Sequence, residues 1–68
     1  MAPRYPEIQI TVHSRNPFAL IGAVRHGLRQ AGVERQEIQA FSREAFDTDE
    51  EEEIERICGR WAHLVIAD

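Results

Sequence analysis

Phe18, Gly22, Arg25 and Arg29 fall on one line of a helix when the chain is wound at about 100° per residue. Ser14, Arg15 and Asn16 stand just before them, at the point where that helix must start. Free amides and the dipole at a helix start favour an anion, and Arg15 adds a positive charge. An aromatic ring, a glycine notch and two guanidinium groups in line suit a phosphate, a nucleic-acid base or an acidic peptide. The candidate binding residues are therefore Arg15, Phe18, Gly22, Arg25 and Arg29. The competing arrangement folds Phe18 over the end of the sheet and leaves the arginines solvated or paired to the acidic half of the chain.

Other chemistry-bearing residues are poorly placed. Asp47, Asp49 and Glu50 to Glu53 form an acidic run that opens like a calcium loop. Such a loop needs Gly at its sixth position, where this chain has Glu52. An acidic first turn that complements a helix dipole accounts for the run. His13, His26 and His63 share no metal-ligand spacing, so no metal is expected. Cys58 with one of these histidines could make a nucleophile pair, but it lies on the apolar face of a helix, where a buried thiol is inert. Neither Ser14 nor Ser42 sits in a nucleophile-elbow motif, and no glycine-rich phosphate loop is present. No catalytic residue and no cofactor is expected, and the chain reads as a non-enzyme.

The elements that would carry these residues are legible in outline. Residues 1–6 hold two prolines and read as an extended lead-in; residues 7–68 read as one domain. In Glu7–His13, Ile8, Ile10 and Val12 alternate with polar residues, the period of a strand with one buried face. Asn16 suits a helix N-cap and Pro17 the first helical position. This helix runs to about Ala31, with Gly32 closing it. Leu20, Ala23, Val24, Gly27, Leu28 and Ala31 share its inner face. Ala19, Ala23, Gly27 and Ala31 make a row of small residues that lets another element approach closely.

A second helix spans Glu34 to about Phe46, with Ile38, Phe41 and Ala45 inward and Gln39, Ala40 and Arg43 outward. A third begins after Thr48, read as N-cap with Glu51 in the capping-box position. It carries Ile54, Ile57, Cys58, Trp61 and Val65 on one face, and periodicity alone would carry it to Val65. Leu64-Val65-Ile66-Ala67 is also a short β-prone run. The expected helix therefore stops near Ala62 and residues 63–67 form a second strand that pairs with the first, with a continued helix as the alternative. The expected fold is a small α+β domain in the order β-α-α-α-β, a two-stranded sheet covered by three helices.

Composition narrows the function classes. The 68 residues include eight Arg, no Lys and twelve acids, for a net charge of -4. Residues 1–33 carry +3 and residues 34–68 carry -7. Nucleic-acid modules draw affinity from phosphate neutralisation and are usually basic overall, so the net charge argues against that partner. A single cysteine excludes an internal disulfide framework and fits a reducing compartment. No run has the length of a membrane span, and the first residues lack an apolar signal-peptide segment, so a cytoplasmic location is expected. At this size a domain buries only about 60% of the surface its unfolded chain exposes, which leaves no room for a cleft between lobes.

The segments Arg15-Asn16-Pro17-Phe18-Ala19-Leu20-Ile21-Gly22-Ala23-Val24 and Leu28-Arg29-Gln30-Ala31-Gly32-Val33 are followed by Glu37-Ile38, Phe41, Glu44-Ala45 and Trp61. This pattern resembles a group of short, uncharacterised bacterial and phage proteins with Gly-Asn-Ala-Phe-Ala-x-x-Gly-x-Val, then Ala-Gly-Val, then Trp-Val. The group has Gly and Ala where this chain has Arg15 and Pro17, and a Gly-Asp-Tyr-Asp-like turn in place of the acidic run. The resemblance implies a small bacterial or phage protein and transfers no site, because no activity is attached to the group.

Two function classes stay open. One is a protein-interaction module with an unidentified protein partner or a second copy of itself, since a two-stranded sheet has two open edges. The other is an anion or nucleic-acid binder working from the start and the arginine-bearing face of the first helix.

Overall fold

Alternating Ile8, Ile10 and Val12 direct one face of a strand inward, and that strand, β1, covers Tyr5–Val12. The computed structural model describes residues 2–67; Met1 of the expected lead-in and Asp68 of the expected domain lie outside the described residues. β1 begins two residues earlier than the alternation suggests. Tyr5 is held there by stacking on Trp61, with ring centroids 6.3 Å apart. Pro6 is tolerated because an edge position need not donate to a ladder. The register shifts between Tyr5 and Gln9, on either side of that proline.

Three helices follow: α1 (Pro17–Gln30), α2 (Arg35–Ala45) and α3 (Glu51–Trp61). The second strand, β2 (Ala62–Ile66), pairs with β1 in parallel, matching Ile10 to Leu64 and Val12 to Ile66. Each element reverses the chain. The end of α1 returns to the Tyr5 end of β1, where Gly32 and Val33 share a groove with Tyr5 and Ile8. At the end of α2 the chain is back beside the start of α1, where Phe46 meets Phe18. Four such reversals make the strands parallel, so the order is β-α-α-α-β around a two-stranded sheet.

Local chemistry sets the boundaries. The Asn16 side-chain oxygen accepts from the amides of Phe18 at 2.9 Å and Ala19 at 3.4 Å, and Pro17 occupies the first turn. Gly32, at φ +84°, takes the left-handed conformation that ends α1. Its amide donates to the Arg29 carbonyl, and the Val33 amide reaches back to Leu28, a Schellman closure. The start of α3 differs from expectation. Its N-cap is Glu50, not Thr48. The Thr48 hydroxyl instead accepts from the Glu50 amide at 3.2 Å, closing a turn that delays the helix.

The core is one cluster drawn from every element. It includes Ile10 and Val12 of β1, Leu20, Ile21, Val24 and Leu28 of α1, Ile38, Phe41 and Ala45 of α2, and Ile54, Ile57, Cys58 and Trp61 of α3. Ile21 joins it because α1 is flanked by the sheet on one side and by α2 and α3 on the other, which widens its buried face. Ala31 does not, because the helix ends there at the surface. Of the small-residue row, Gly27 is the one that matters: a methyl placed on it would overlap Ile10 Cδ1. A methyl at this position would require the tip of the Ile10 side chain to move aside.

Trp61 is a core anchor, only 6% exposed. Phe41 meets it edge-on at 5.7 Å, and Arg4 lies over its ring at 4.9 Å. Its indole Nε1 donates to Glu44 at 3.2 Å. Arg4 also pairs with Glu37, whose carboxylate accepts from the Tyr5 hydroxyl. This cluster closes the N-terminal end of the sheet over the helices.

Candidate binding surface

The antiparallel packing of α1 and α2 sets two outward lines side by side. On α1 these are Phe18, Gly22, Arg25 and Arg29. On α2 they are Arg35, Gln39, Arg43 and Phe46, spaced by three or four residues and so on one face. Between them runs a surface groove. One part, of about 420 Å³, is lined by Arg25, Arg29, Val33, Arg35, Ile38 and Gln39. The next, of about 550 Å³, is lined by Arg25, Gln39, Ser42, Arg43, Phe46 and Asp47. Arg25 and Gln39 border both, so the groove is continuous from the α1–α2 turn to the end of α2. Gly22 leaves a dip beside it, flanked by Arg25, His26 and Arg29.

Charge is distributed in a telling way. Arg4 pairs with Glu37, Arg15 with Glu55, and Arg56 and Arg60 both with Glu53. Among the described residues, Arg25, Arg29, Arg35 and Arg43 form no salt bridge. These four unpaired guanidiniums are the ones that line the groove. All four are exposed, so their field is that of solvated charges and is screened by salt.

An apolar pair ends the groove. Phe18 is 72% exposed and Phe46 is 56% exposed, and their rings stand 6.5 Å apart. Phe18 therefore does not fold over the sheet; it meets the residue that caps α2. Beyond Phe46 the chain enters the acidic run, and Asp47 lies at the groove's last edge.

Of the five residues expected from sequence, Phe18, Gly22, Arg25 and Arg29 come together. Arg15 is apart from them, turned to Glu55 at 3.1 Å. The start of α1 is also occupied, because Asn16 takes the amides an anion would need. Sequence reasoning missed Arg35, Arg43 and Phe46 as members. Their signal was the spacing along α2, but nothing in the sequence placed that line against the one on α1.

The remaining chemical candidates are accounted for by packing. Cys58 is fully buried, and burial pushes its thiol up to about 11, away from nucleophilic thiolate. The His13 ring Nδ1 lies 3.1 Å from the Ala67 carbonyl at the end of the sheet. Among the described residues, no three His, Cys, Asp or Glu side chains gather to hold a metal, and no helix is long and apolar enough to cross a membrane. Gln9, Thr11 and His63 line the exposed outer face of the sheet.

No protein-family model matches the chain, and neither curated proteins nor solved structures provide a match.

Proposed function

We propose that the chain is a non-catalytic protein-interaction module that takes an acidic segment of a partner along the α1–α2 groove. The observation that carries this reading is the segregation of the arginines: every one without a carboxylate partner among the described residues lines that groove, and an exposed phenylalanine pair ends it. Guanidiniums bind carboxylates in forked, paired hydrogen bonds, and two rings at one end give an apolar anchor. Exposed aromatic and arginine side chains are the residue types that dominate binding energy at protein interfaces.

Calorimetric titration with a short Glu- and Asp-rich peptide carrying one Phe tests it. Binding that weakens with salt, and weakens at least about tenfold in R25E/R29E, supports the groove. The variant R56E serves as control, since Arg56 is paired to Glu53. Equal loss in the control and the groove variant would overturn the reading.

The combination of arginines with Phe18 also favours a second reading, a single-stranded nucleic acid stacking on the ring. The net charge of -4 and the acidic run beside the groove oppose it. Replacing the peptide with an oligonucleotide in the same titration separates the two.

A further inference from the structure

Resting on the reading above, we infer that the acidic partner is a second copy of this chain, in a closed two-fold dimer. The surface order is what points to it. The arginine groove leads to Phe46 and its neighbour Phe18, and the chain then passes directly into Asp47, Asp49, Glu50, Glu51 and Glu52. Among the described residues none of these five acids forms a salt bridge. Unpaired positive charge and exposed aromatic rings thus adjoin Asp47 at the groove's edge, and the other exposed acids follow it directly in the chain.

Such an order is self-complementary under two-fold rotation. In an isologous contact a patch on one side of the axis meets the partner's patch from the other side. With the axis passing by Phe18 and Phe46, the arginine groove of each copy faces the acidic run of the other. The four rings then meet at the centre, shielded from water. Both unbalanced charge patches are satisfied at once, and no second surface is needed. A standard interface takes about 800 Å² from each partner. That is roughly a sixth of the 4722 Å² this chain exposes, a share that one face can supply.

The test uses sedimentation equilibrium on the full chain and on two charge-reversal variants. R29E/R35E takes the four groove arginines from a charge of +4 to 0. D47R/D49R takes the five acids from -5 to -1, and both changes lie ahead of the α3 helix itself. Wild type is expected to dimerise, at least about tenfold more weakly at about 1 M salt than at about 0.1 M. Each variant alone is expected to dimerise at least about tenfold more weakly than wild type, since the charge attraction is largely lost at both patches. Mixed together, the intact groove of one variant meets the intact acidic run of the other, so the mixture is expected to pair more tightly than either variant alone, which also shows that both are folded.

A monomeric wild type, masses growing beyond dimer, or a dimer indifferent to salt and to both variants would each overturn the inference. The last outcome would place the contact away from the groove and the acidic run. A monomer that still binds the acidic peptide through Arg25 and Arg29 would refute self-pairing and leave the groove reading intact. A monomer that binds no acidic peptide would refute both.

Discussion

Phe18 and Phe46 touch each other, 6.5 Å between ring centroids, while more than half of each remains in water. They join the first turn of α1 to the C-terminal cap of α2 and mark the end of the arginine groove. Neither belongs to the buried core. Replacing Phe46 by Ser should therefore change stability by no more than about 1 kcal/mol, because most of the ring is already solvated. The same change should abolish binding of the acidic peptide. Denaturant unfolding and peptide calorimetry on one sample separate the two effects. A loss of several kcal/mol would make the pair a part of the fold.

Gly27 makes the opposite kind of prediction. An added methyl would overlap the Ile10 Cδ1 atom, so G27A should destabilise the domain by no more than about 2 kcal/mol: overpacking of about 1–3 kcal/mol less the roughly 1 kcal/mol that Ala gains over Gly inside a helix. Shortening the neighbour with I10V removes that atom. The double variant should recover part of the loss, giving a coupling energy of about 1 kcal/mol in a double-mutant cycle. Strict additivity would contradict the close approach of β1 to α1.

Cys58 predicts an alkaline loss of stability. Burial raises its folded pKa from 9.0 to about 11. In the window between those values the unfolded chain releases the proton and the folded one keeps it. Stability is then fully present below about pH 9 and falls as pH rises toward 11, by a loss on the order of 2 kcal/mol. C58A should remove the Cys58 part of that slope at a cost of about 1 kcal/mol near neutral pH. Alkylation of the folded wild type near pH 8 should be slow. Rapid labelling there would show an accessible thiol and revive a nucleophilic role.

At the helix boundaries, N16A should cost about 1 kcal/mol, because it leaves the Phe18 and Ala19 amides without their acceptor. R15A should cost less than about 0.5 kcal/mol, since its pair with Glu55 is exposed. Thermal melts of the two variants should differ in that order. A reversed order would mean that Arg15 does more than pair at the surface.

Much of the architecture was legible in the residues themselves. Alternation at Ile8, Ile10 and Val12, Asn16 before Pro17, and Gly32 after α1 each encode a local decision. The second strand was only half readable, because the β-prone run after Trp61 also continues the helical period to Val65; the strand is Ala62–Ile66. Strand direction was not readable, because it follows from four successive reversals and not from any local pattern. The Thr48 turn misled for a local reason: its hydroxyl bonds the Glu50 amide, one residue short of the Glu51 amide that a capping box requires. Half of the candidate groove was legible as the line on α1. The other half needed the packing of α2, which alone brings Arg35 and Arg43 beside Arg25 and Arg29. The pairing of Arg15 with Glu55, forty residues away, was equally beyond local spacing.

The measurement that bears most directly on the central claim is an NMR titration of the arginine side-chain Nε–H signals with the acidic, Phe-bearing peptide. Arg25, Arg29, Arg35 and Arg43 should shift together and lose their shifts at high salt, while Arg4, Arg15, Arg56 and Arg60 stay in place. Shifts at the four paired arginines, or at the sheet and not at the groove, would contradict the account.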